Sequence, residues 1–173
     1  MPDKSPQPES FKAVERRIAV TRERLPDFPH RRSTLTRLVA HLHKRVQASC
    51  NAALKPHKLN YVTYNALMMM YGADDYTINP SELAAATGEK PANCTRICDE
   101  LEARRLIRRH ASLEDRRRVV LTLTTQGRKL VERVQPDMWH YLGAFFTEFS
   151  DADLEQLTRL LKKALVNVEQ TPS

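Results

Sequence analysis

The feature that most constrains this chain is the segment 79–127, in which two short helical patterns lead into an arginine-rich hairpin. Asn79 can cap a first helix with Pro80 in its first turn, and Gly88 can end it because glycine readily adopts positive φ. The apolar face of this helix is predicted to contain Leu83, Ala84 and Ala86. A second helix is predicted from about Pro91, with an apolar stripe of Cys94, Ile97, Cys98 and Leu101. Two helices joined by a glycine turn are typical of a helix-turn-helix.

The hairpin after these helices is predicted from two β-like segments on either side of a charged tip. Leu106-Ile107 belongs to the first strand, and alternating apolar residues predict the second strand at 119–123. Residues 104–118 hold seven arginines against Glu114 and Asp115, a net charge of +5 within the chain's total of +7. A basic hairpin behind a helix-turn-helix predicts a winged helix that contacts a polyanion. Thr77-Ile78 is expected to add a small third strand.

The sequence LEARRLIRRHASLEDRRRVVLTLTTQG, residues 101–127, resembles the wing signature of the MarR family of transcription regulators. Its D-x-R element is Asp115-Arg116-Arg117, and its closing LTxxG element runs from Leu123 to Gly127. Further segments are similar to the EmrR (MprA) branch of the family, namely Asp27-Phe28-Pro29, Leu35-Thr36-Arg37-Leu38, Pro80-Ser81-Glu82-Leu83 and 93–102. The resemblance spans about 27–168, but Leu106 follows Arg105 where the family usually has glycine.

The resemblance implies that DNA is read by the second helix and the wing. A recognition helix meets base edges and phosphates with its N-terminal half, and an arginine suits the negative potential of a narrow minor groove. Arg117 is the residue that the resemblance places in the groove; Asp115 can orient it, and Arg116 and Arg118 can serve phosphates. The alternative interpretation is that the wing arginines form an ordinary solvated turn and that the polar residues of the second helix are an ordinary exposed helix surface. The candidate DNA-binding residues are Ser81, Lys90, Pro91, Ala92, Asn93, Thr95, Arg96, Asp115, Arg116, Arg117 and Arg118.

The segments that flank the winged helix are predicted to be helical and rich in apolar residues. A tail and a short basic helix are expected at 1–32, and a long helix is expected to open at Ser33 or Thr34. The next helix, from Asn60 to Tyr71, is expected to place Tyr64, Leu67, Met68 and Tyr71 on one face. After the wing, a helix from about Thr125 is expected to reach Phe149 and to bend at Pro136, and Ser150 can cap the last helix.

These flanking helices carry more apolar surface than one winged helix can cover, which predicts a homodimer. The predicted organisation is an N-terminal tail and arm at 1–32, dimerisation helices at 33–59 and 125–169, a winged helix-turn-helix at 60–124 and a tail at 170–173. The predicted fold is therefore mainly α with a small β-wing. The predicted function is a repressor that binds a palindromic double-stranded operator.

A ligand cleft is expected where the first long helix meets the next, because the family commonly binds small aromatic or phenolic acids between its dimerisation helices and winged helix. Cationic and hydrogen-bonding side chains there suit a planar carboxylate or phenol. They are equally compatible with ordinary core or surface roles. The candidate ligand-binding residues are Arg37, His41, His57, Tyr61, Tyr64 and Met68.

Three cysteines, Cys50, Cys94 and Cys98, are too few to indicate a disulfide framework. Cys94 and Cys98 are one helical turn apart but have no further ligands nearby, so small core residues are favoured and neither a metal nor a cofactor is expected. Cys50 leaves open a thiol-based redox regulator.

The other function classes find little support in the sequence. No catalytic motif occurs, and four glycines offer little material for phosphate-binding loops, so an enzyme is not expected. A non-specific architectural DNA-binding protein is a weaker alternative. The absence of a membrane-length apolar run or a signal peptide indicates a cytoplasmic protein without a membrane partner.

Overall fold

The fold was analysed in a computed structural model, which describes residues 8–112, 115 and 118–171. Its helices are α1 (Lys12–Arg24), α2 (His30–Leu54), α3 (Tyr61–Tyr71), α4 (Pro80–Thr87), α5 (Pro91–Ala103), α6 (Thr125–Phe145) and α7 (Asp151–Glu169). Its strands are β1 (Thr77–Ile78), β2 (Ile107–Ala111) and β3 (Val119–Leu123). The predicted order of a helix-turn-helix followed by a hairpin is confirmed.

The strands form one antiparallel sheet in the order β1-β3-β2. Thr77 pairs with Thr122, so the small third strand predicted from the sequence is confirmed. In the hairpin, Arg109 pairs with Leu121 and Arg108 with Thr122. Because side chains alternate along a strand, Arg109 shares the core-facing side of β2 with Ile107, whereas Arg108 and His110 face solvent.

One apolar core joins the C-terminal end of α2 to the winged helix and to the first half of α6. Leu54, Leu67, Leu101 and Leu121 are completely buried within it. α5 buries the predicted stripe of Cys94, Ile97, Cys98 and Leu101. Helix α5 is thus anchored along one whole side, which leaves its other side to solvent.

The helix starts predicted at Asn79 and Ser150 are confirmed. The Asn79 side chain accepts a hydrogen bond from the Glu82 backbone N–H at 2.9 Å, and Glu82 accepts one in return from the Asn79 N–H. Ser150 and Asp153 form the same reciprocal arrangement at α7. Gly88 ends α4 with φ of 69°, in the left-handed region that glycine adopts without steric cost.

Gly127, which closes the predicted LTxxG element, lies where α6 passes directly over the start of β2. A Cβ atom there would be 2.2 Å from the Leu106 carbonyl oxygen and 2.7 Å from a Leu123 methyl group. Thr124 caps α6 by accepting from the Gly127 N–H at 3.0 Å, and the Thr124 N–H also donates to Leu106 O at 3.0 Å. Only glycine permits this close approach.

Some details differ from the sequence prediction. α2 begins at His30 instead of Ser33 or Thr34, because Pro29 precedes the helix and its carbonyl already accepts from the Ser33 N–H at 3.0 Å. α6 ends at Phe145 instead of Phe149, and β2 begins at Ile107. The left-handed residue before β2 is Arg105, with φ of 58°, so the chain turns into Leu106 and then β2 without a glycine.

The predicted apolar faces of two helices were also partly wrong. Ala86 is exposed on α4, where Leu83 and Ala84 are the buried residues. On α3 the buried residues are Thr63, Ala66, Leu67 and Met70. Tyr64, Met68 and Tyr71 are only half-buried at the boundary with α6, because α3 contacts α2, α4, α5 and α6 together and is covered on several sides.

Helices α2, α6 and α7 each leave two or more large apolar side chains exposed, and α7 has no buried residue. The exposed apolar residues include Leu35, Leu38, Val39 and Leu42 on α2, Trp139 and Leu142 on α6, and Leu161, Leu165 and Val168 on α7. This is the surface from which the homodimer was predicted. Among the described residues, no helix combines the length and apolarity needed to cross a bilayer.

Candidate nucleic-acid interface

The exposed side of α5 is set by its buried side and by the turn before it. Gly88 turns the chain, and the Cys94 thiol donates to Pro80 O at 3.6 Å, which ties α5 to the start of α4. The predicted contact residues Lys90, Pro91, Ala92, Thr95 and Arg96 are exposed, and Asn93 is half-buried. The structure therefore brings the N-terminal half of α5 together as one polar surface.

Ser81 lies where this surface meets the wing. A groove of about 600 Å³ between α4 and α5 includes Ser81, Pro91 and Thr95. A second groove of about 460 Å³ includes Ser81 and Arg118, at the end of the wing that adjoins β3. Ser81 donates a hydrogen bond to Asn79 at 2.8 Å, so the residue that caps α4 also orients this hydroxyl.

The wing is described only in part. The Arg118 Nε lies 3.7 Å from the Asp115 carboxylate, and the Arg118 N–H donates to Asp115 O at 2.9 Å. Ser112 N–H closes the same end of the hairpin by donating to Arg118 O at 2.8 Å. Arg116 and Arg117 lie outside the described residues, so their predicted contacts with DNA stay predictions.

The basic surface continues to the base of the wing. Arg105, Arg108 and Arg128 line a groove of about 870 Å³ between the hairpin and the start of α6. Arg128 also lies over the Tyr76 ring, with its guanidinium carbon 4.8 Å from the ring centroid. Such clustering of positive charge favours a polyanionic partner.

A hydrogen-bonded group lies along the exposed side of α5. Asn93 Nδ2 donates to Glu89 Oε2 at 2.5 Å, and Asn93 Oδ1 accepts from Arg96 Nε at 3.2 Å and from Arg96 Nη2 at 3.0 Å. The predicted contact residues Asn93 and Arg96 are therefore bonded to each other. Glu89, which no motif identified, is the third member of the group.

Arg109 is a second residue that the sequence did not reveal. Its Nη1 lies 2.6 Å from Asp99 Oδ1 and 2.9 Å from Glu102 Oε2, and its Nη2 donates to Thr95 O at 3.3 Å. Glu102 also accepts from the Arg109 backbone N–H at 3.0 Å. These contacts join the wing to the recognition helix and are named here the helix–wing clamp.

The clamp is electrostatically favourable although it is partly shielded from water. Burial alone lowers the pKa of Arg109, but the hydrogen bond with Asp99 and the charges of Asp99 and Glu102 raise that pKa above its ordinary value. The alternation of β2, which places Arg109 on the core-facing side, was the signal that could have identified it. A charged residue on that side needs a partner.

The predicted ligand-binding residues fall into separate places. Tyr64 donates to Gln135 Oε1 at 3.4 Å, and Gln135 Nε2 lies 2.6 Å from Met68 Sδ, so α6 brings these two residues together. His57 Nε2 lies 2.8 Å from Asp137 Oδ2, two residues further along α6.

The other three predicted residues are associated with α2. His41 is 2.9 Å from Ser10 Oγ and packs on the Phe11 ring, with 5.4 Å between centroids, so it faces the N-terminal arm. Arg37 is exposed one turn before it. Tyr61 contacts the His43 ring at 6.4 Å between centroids. No described contact joins His41 to the Tyr64–Met68 group.

The cysteines are packed in the interior. Cys50, Cys94 and Cys98 are all buried, and burial raises the pKa of the Cys50 thiol. Burial, with a contribution from Cys94, raises the pKa of Cys98 to about 11. A reactive thiolate needs the opposite shift and access to solvent. The described part of the chain contains no group of three side chains able to hold a metal ion.

Comparison with known proteins gives one consistent result. The family model described as MarR family matches residues 57–118. The transcriptional repressor MprA of Escherichia coli (strain K12) is 33% identical over 161 residues, which cover 93% of this chain and 92% of MprA.

Solved structures agree with this match. AbsC, a MarR family transcriptional regulator from Streptomyces coelicolor, superposes with a TM-score of 0.74 at 21% identity, over 80% of this chain and 95% of AbsC. CouR from Rhodococcus jostii RHA1, solved with bound p-coumaroyl-CoA, has a TM-score of 0.68 at 26% identity, over 73% of this chain and 88% of CouR. The matched proteins are transcription regulators and not enzymes.

Proposed function

Because the chain belongs to the MarR family of transcription regulators, we propose that it is a repressor that binds a palindromic operator and is released by a small aromatic acid. The repressor part of the proposal is supported by the similarity to MprA over nearly the whole of both chains. The observation that carries DNA binding is the polar N-terminal half of α5 beside a strongly basic wing. An exposed recognition helix of this kind reads base edges in the major groove.

Within this proposal, Ser81 and the α5 residues contact one half-site, and the wing contacts the adjacent minor groove. Arg117 is assigned to that groove from the wing signature, with Asp115 as its orienting partner and Arg116 and Arg118 on phosphates. Arg117→Ala is expected to weaken operator binding by about 1–3 kcal/mol, and Asp115→Ala by less, because it leaves the positive charge in place. Equal binding by parent and variants across a salt titration would contradict this role.

A homodimer is supported by the exposed apolar side chains of α2, α6 and α7. Leu161, Leu165 and Val168 repeat along α7 at heptad-like spacing, and no element among the described residues covers them. We assign 33–59 and 125–169 to dimerisation and 60–124 to DNA binding. Two-fold symmetry would place the recognition helices about one helical turn, or about 10 bp, apart on a palindrome.

The dimer is tested by solution mass measurements on two substitutions in α7. Leu165→Glu buries a charge at the proposed interface, so it is expected to yield monomer and to abolish operator binding. Lys163→Glu changes the charge on the opposite side of the helix and is expected to remain dimeric. A parent protein that is monomeric at micromolar concentration would refute the dimer and the symmetric operator with it.

The effector class is proposed from the contacts between α3 and α6 and from the similarity to CouR, whose bound ligand is an aromatic acyl thioester. Tyr64, Met68 and His57 contact Gln135 and Asp137 on α6, a helix that carries part of the proposed dimer surface. Arg37, His41 and Tyr61 complete the proposed set from α2 and the start of α3. A ligand that binds better to the DNA-incompetent arrangement would shift the dimer away from the operator.

The experiment that tests the function is footprinting on genomic fragments, followed by release assays. We expect one symmetric protected site per dimer and its release by some members of a panel of phenolic and aromatic carboxylic acids. Calorimetry with Tyr64→Phe and Met68→Ala tests where the acid binds. If no acid binds, while peroxide releases DNA from the parent but not from Cys50→Ser, the thiol-based alternative is correct instead.

A further inference from the structure

In the hydrogen-bonded group formed by Glu89, Asn93 and Arg96, the orientation of the Asn93 amide is defined by its two neighbours. Asn93 and Arg96 are three positions apart on α5, and the hydrogen bond from Asn93 brings Glu89 of the preceding turn to the same side. The Arg96 side chain is 66% exposed, so the group stands at the surface that a base edge would meet. We name it the reading group.

Glu89 allows only one orientation of the Asn93 amide. The amide nitrogen faces the Glu89 carboxylate, and the amide oxygen faces two nitrogens of Arg96. A reversed amide would place its oxygen against a carboxylate and its N–H groups against a guanidinium, which has no acceptor. Each of these contacts would then be repulsive. The charges on either side of Asn93 therefore fix its orientation.

This orientation determines which hydrogen bonds are left for DNA. A carbonyl oxygen has two lone pairs, and Arg96 Nε and Nη2 occupy both at Asn93. Asn93 keeps one free amide N–H. Arg96 keeps the second N–H of Nη2 and the N–H groups of Nη1, which lies 3.9 Å from Glu100, beyond hydrogen-bonding distance. Asn93 and Arg96 consequently present donors and no acceptor, and the acceptor oxygens of the reading group are those of the Glu89 carboxylate.

A surface of donors matches guanine better than adenine. In the major groove guanine presents two acceptors, N7 and O6, whereas adenine presents one acceptor and one donor. Asn93 could bind adenine with both ends of its amide only if its oxygen first left Arg96. We propose that Glu89 is a specificity-determining residue, which holds Asn93 and Arg96 as a donor-only unit that selects guanine within each half-site. This inference rests on the proposed binding of an operator by α5.

Glu89 acts through Asn93 and is therefore a positioning residue. Because it is negatively charged, its removal should change duplex affinity and base discrimination in different directions, which the loss of a merely structural residue would not do. Close to DNA, a carboxylate repels phosphates, so its removal should keep or increase affinity for any duplex. Its removal also frees Asn93 to rotate, which should decrease discrimination between guanine and adenine. Glu89 precedes α5, so Glu89→Ala leaves the helix interior intact.

The experiment uses the full chain and its footprinted operator, with each half-site position changed in turn to every base. Binding is measured by fluorescence anisotropy at one salt concentration. Arg96→Ala locates the base pair that Arg96 contacts, because this variant should lose the preference for one base at that pair and keep the preferences at the other pairs. At that position we expect the parent to prefer guanine over adenine by about tenfold or more, and Glu89→Ala to prefer it by less than about threefold.

Glu100→Ala is the matched control. It removes the same charge from α5, but the described ion pairs of Glu100 are with Arg96 at 3.9 Å and Arg104 at 3.8 Å, so the Asn93 orientation should persist. We expect this variant to keep the guanine preference of the parent. Circular dichroism and thermal unfolding establish that all three variants are folded.

The outcomes are distinguishable. Flattened guanine preference in Glu89→Ala, with unchanged or stronger binding to unrelated duplex, supports the inference. A parent protein that prefers adenine at the Arg96 position, or a Glu89→Ala variant with the parent's preference, overturns it and leaves the proposed regulator intact. If the parent has no preferred duplex at all, the proposed function itself is wrong and this inference falls with it.

Discussion

Replacement of Arg109 by glutamine should weaken the attachment of the wing to the recognition helix. The substitution removes the guanidinium that contacts Asp99 at 2.6 Å, Glu102 at 2.9 Å and the Thr95 carbonyl at 3.3 Å. The Arg109 side chain is 28% exposed, while Asp99 is 60% and Glu102 37% exposed. Solvent therefore screens the Asp99 contact strongly and the Glu102 contact less.

The magnitude follows from these exposures. An exposed ion pair contributes roughly 0.2–1 kcal/mol, and a hydrogen bond to a charged group contributes roughly 1.5–3 kcal/mol when it is well shielded. Because Glu102 retains its bond to the backbone N–H of residue 109, we place the total loss at about 1–2 kcal/mol. With a urea slope of about 2 kcal/mol per molar, the unfolding midpoint should fall by about 0.5–1 M.

The assay compares Arg109→Gln with Arg108→Gln in urea unfolding at a fixed protein concentration and in operator binding. Arg108 is exposed on the opposite side of β2, so its replacement removes the same charge without the clamp. We expect only Arg109→Gln to shift the midpoint, and the difference between the variants to shrink in 1 M salt because screening weakens partly exposed ion pairs. Operator affinity should fall further in Arg109→Gln, since its wing and helix no longer hold one relative position. Equal unfolding midpoints and equal operator affinities for the two variants would refute the clamp.

Two further substitutions test the fold. Gly127→Ala should destabilise the protein by about 3 kcal/mol or more, because its Cβ would lie 2.2 Å from Leu106 O. Gly72→Ala is the control and should be tolerated, because the nearest atom to its Cβ would be 3.6 Å away. Similar urea unfolding midpoints for the two variants would contradict this prediction. Hydrogen bonds from Ser150 lower the pKa of Asp153. The charged cap therefore contributes its full stability to α7 above the ordinary aspartate pKa, near about pH 4. This contribution is lost as the pH falls through the lowered pKa of the folded state. The stability difference between the parent and Asp153→Asn should therefore close below about pH 4, and a difference that is independent of pH would show that the charge is irrelevant.

Features that depend on neighbours within one helical turn were predictable. The caps at Asn79 and Ser150, the left-handed Gly88 and the buried stripe of α5 all depend on contacts between residues three or four apart. The same holds for the hairpin, where alternation and charge indicated two strands around a solvated tip. The exposed side of α5 followed directly, because the buried stripe leaves only the other side to solvent.

Apart from the pairing of β1 with β3, features that depend on packing between distant segments were not predicted. The buried side of α3 was misjudged because elements before and after it in the chain cover it together, so it has no single polar side. The predicted ligand residues were treated as one group, but His41 faces the N-terminal arm while Tyr64 and Met68 meet Gln135 of α6.

The sequence by itself determined the order of elements, their caps and the positive charge of the wing, since these follow from local geometry and composition. Tertiary structure alone decided how the recognition surface is assembled. Arg109 of β2 meets Asp99 and Glu102 only because the sheet folds back on α5. Glu89 meets Asn93 four residues along, but it lies in the turn before α5 with the extended residue Lys90 between them, so helical spacing alone does not decide whether the amide contacts Glu89 or solvent. That choice depends on side-chain orientations, which are set when α5 packs against the core and which no residue pattern encodes.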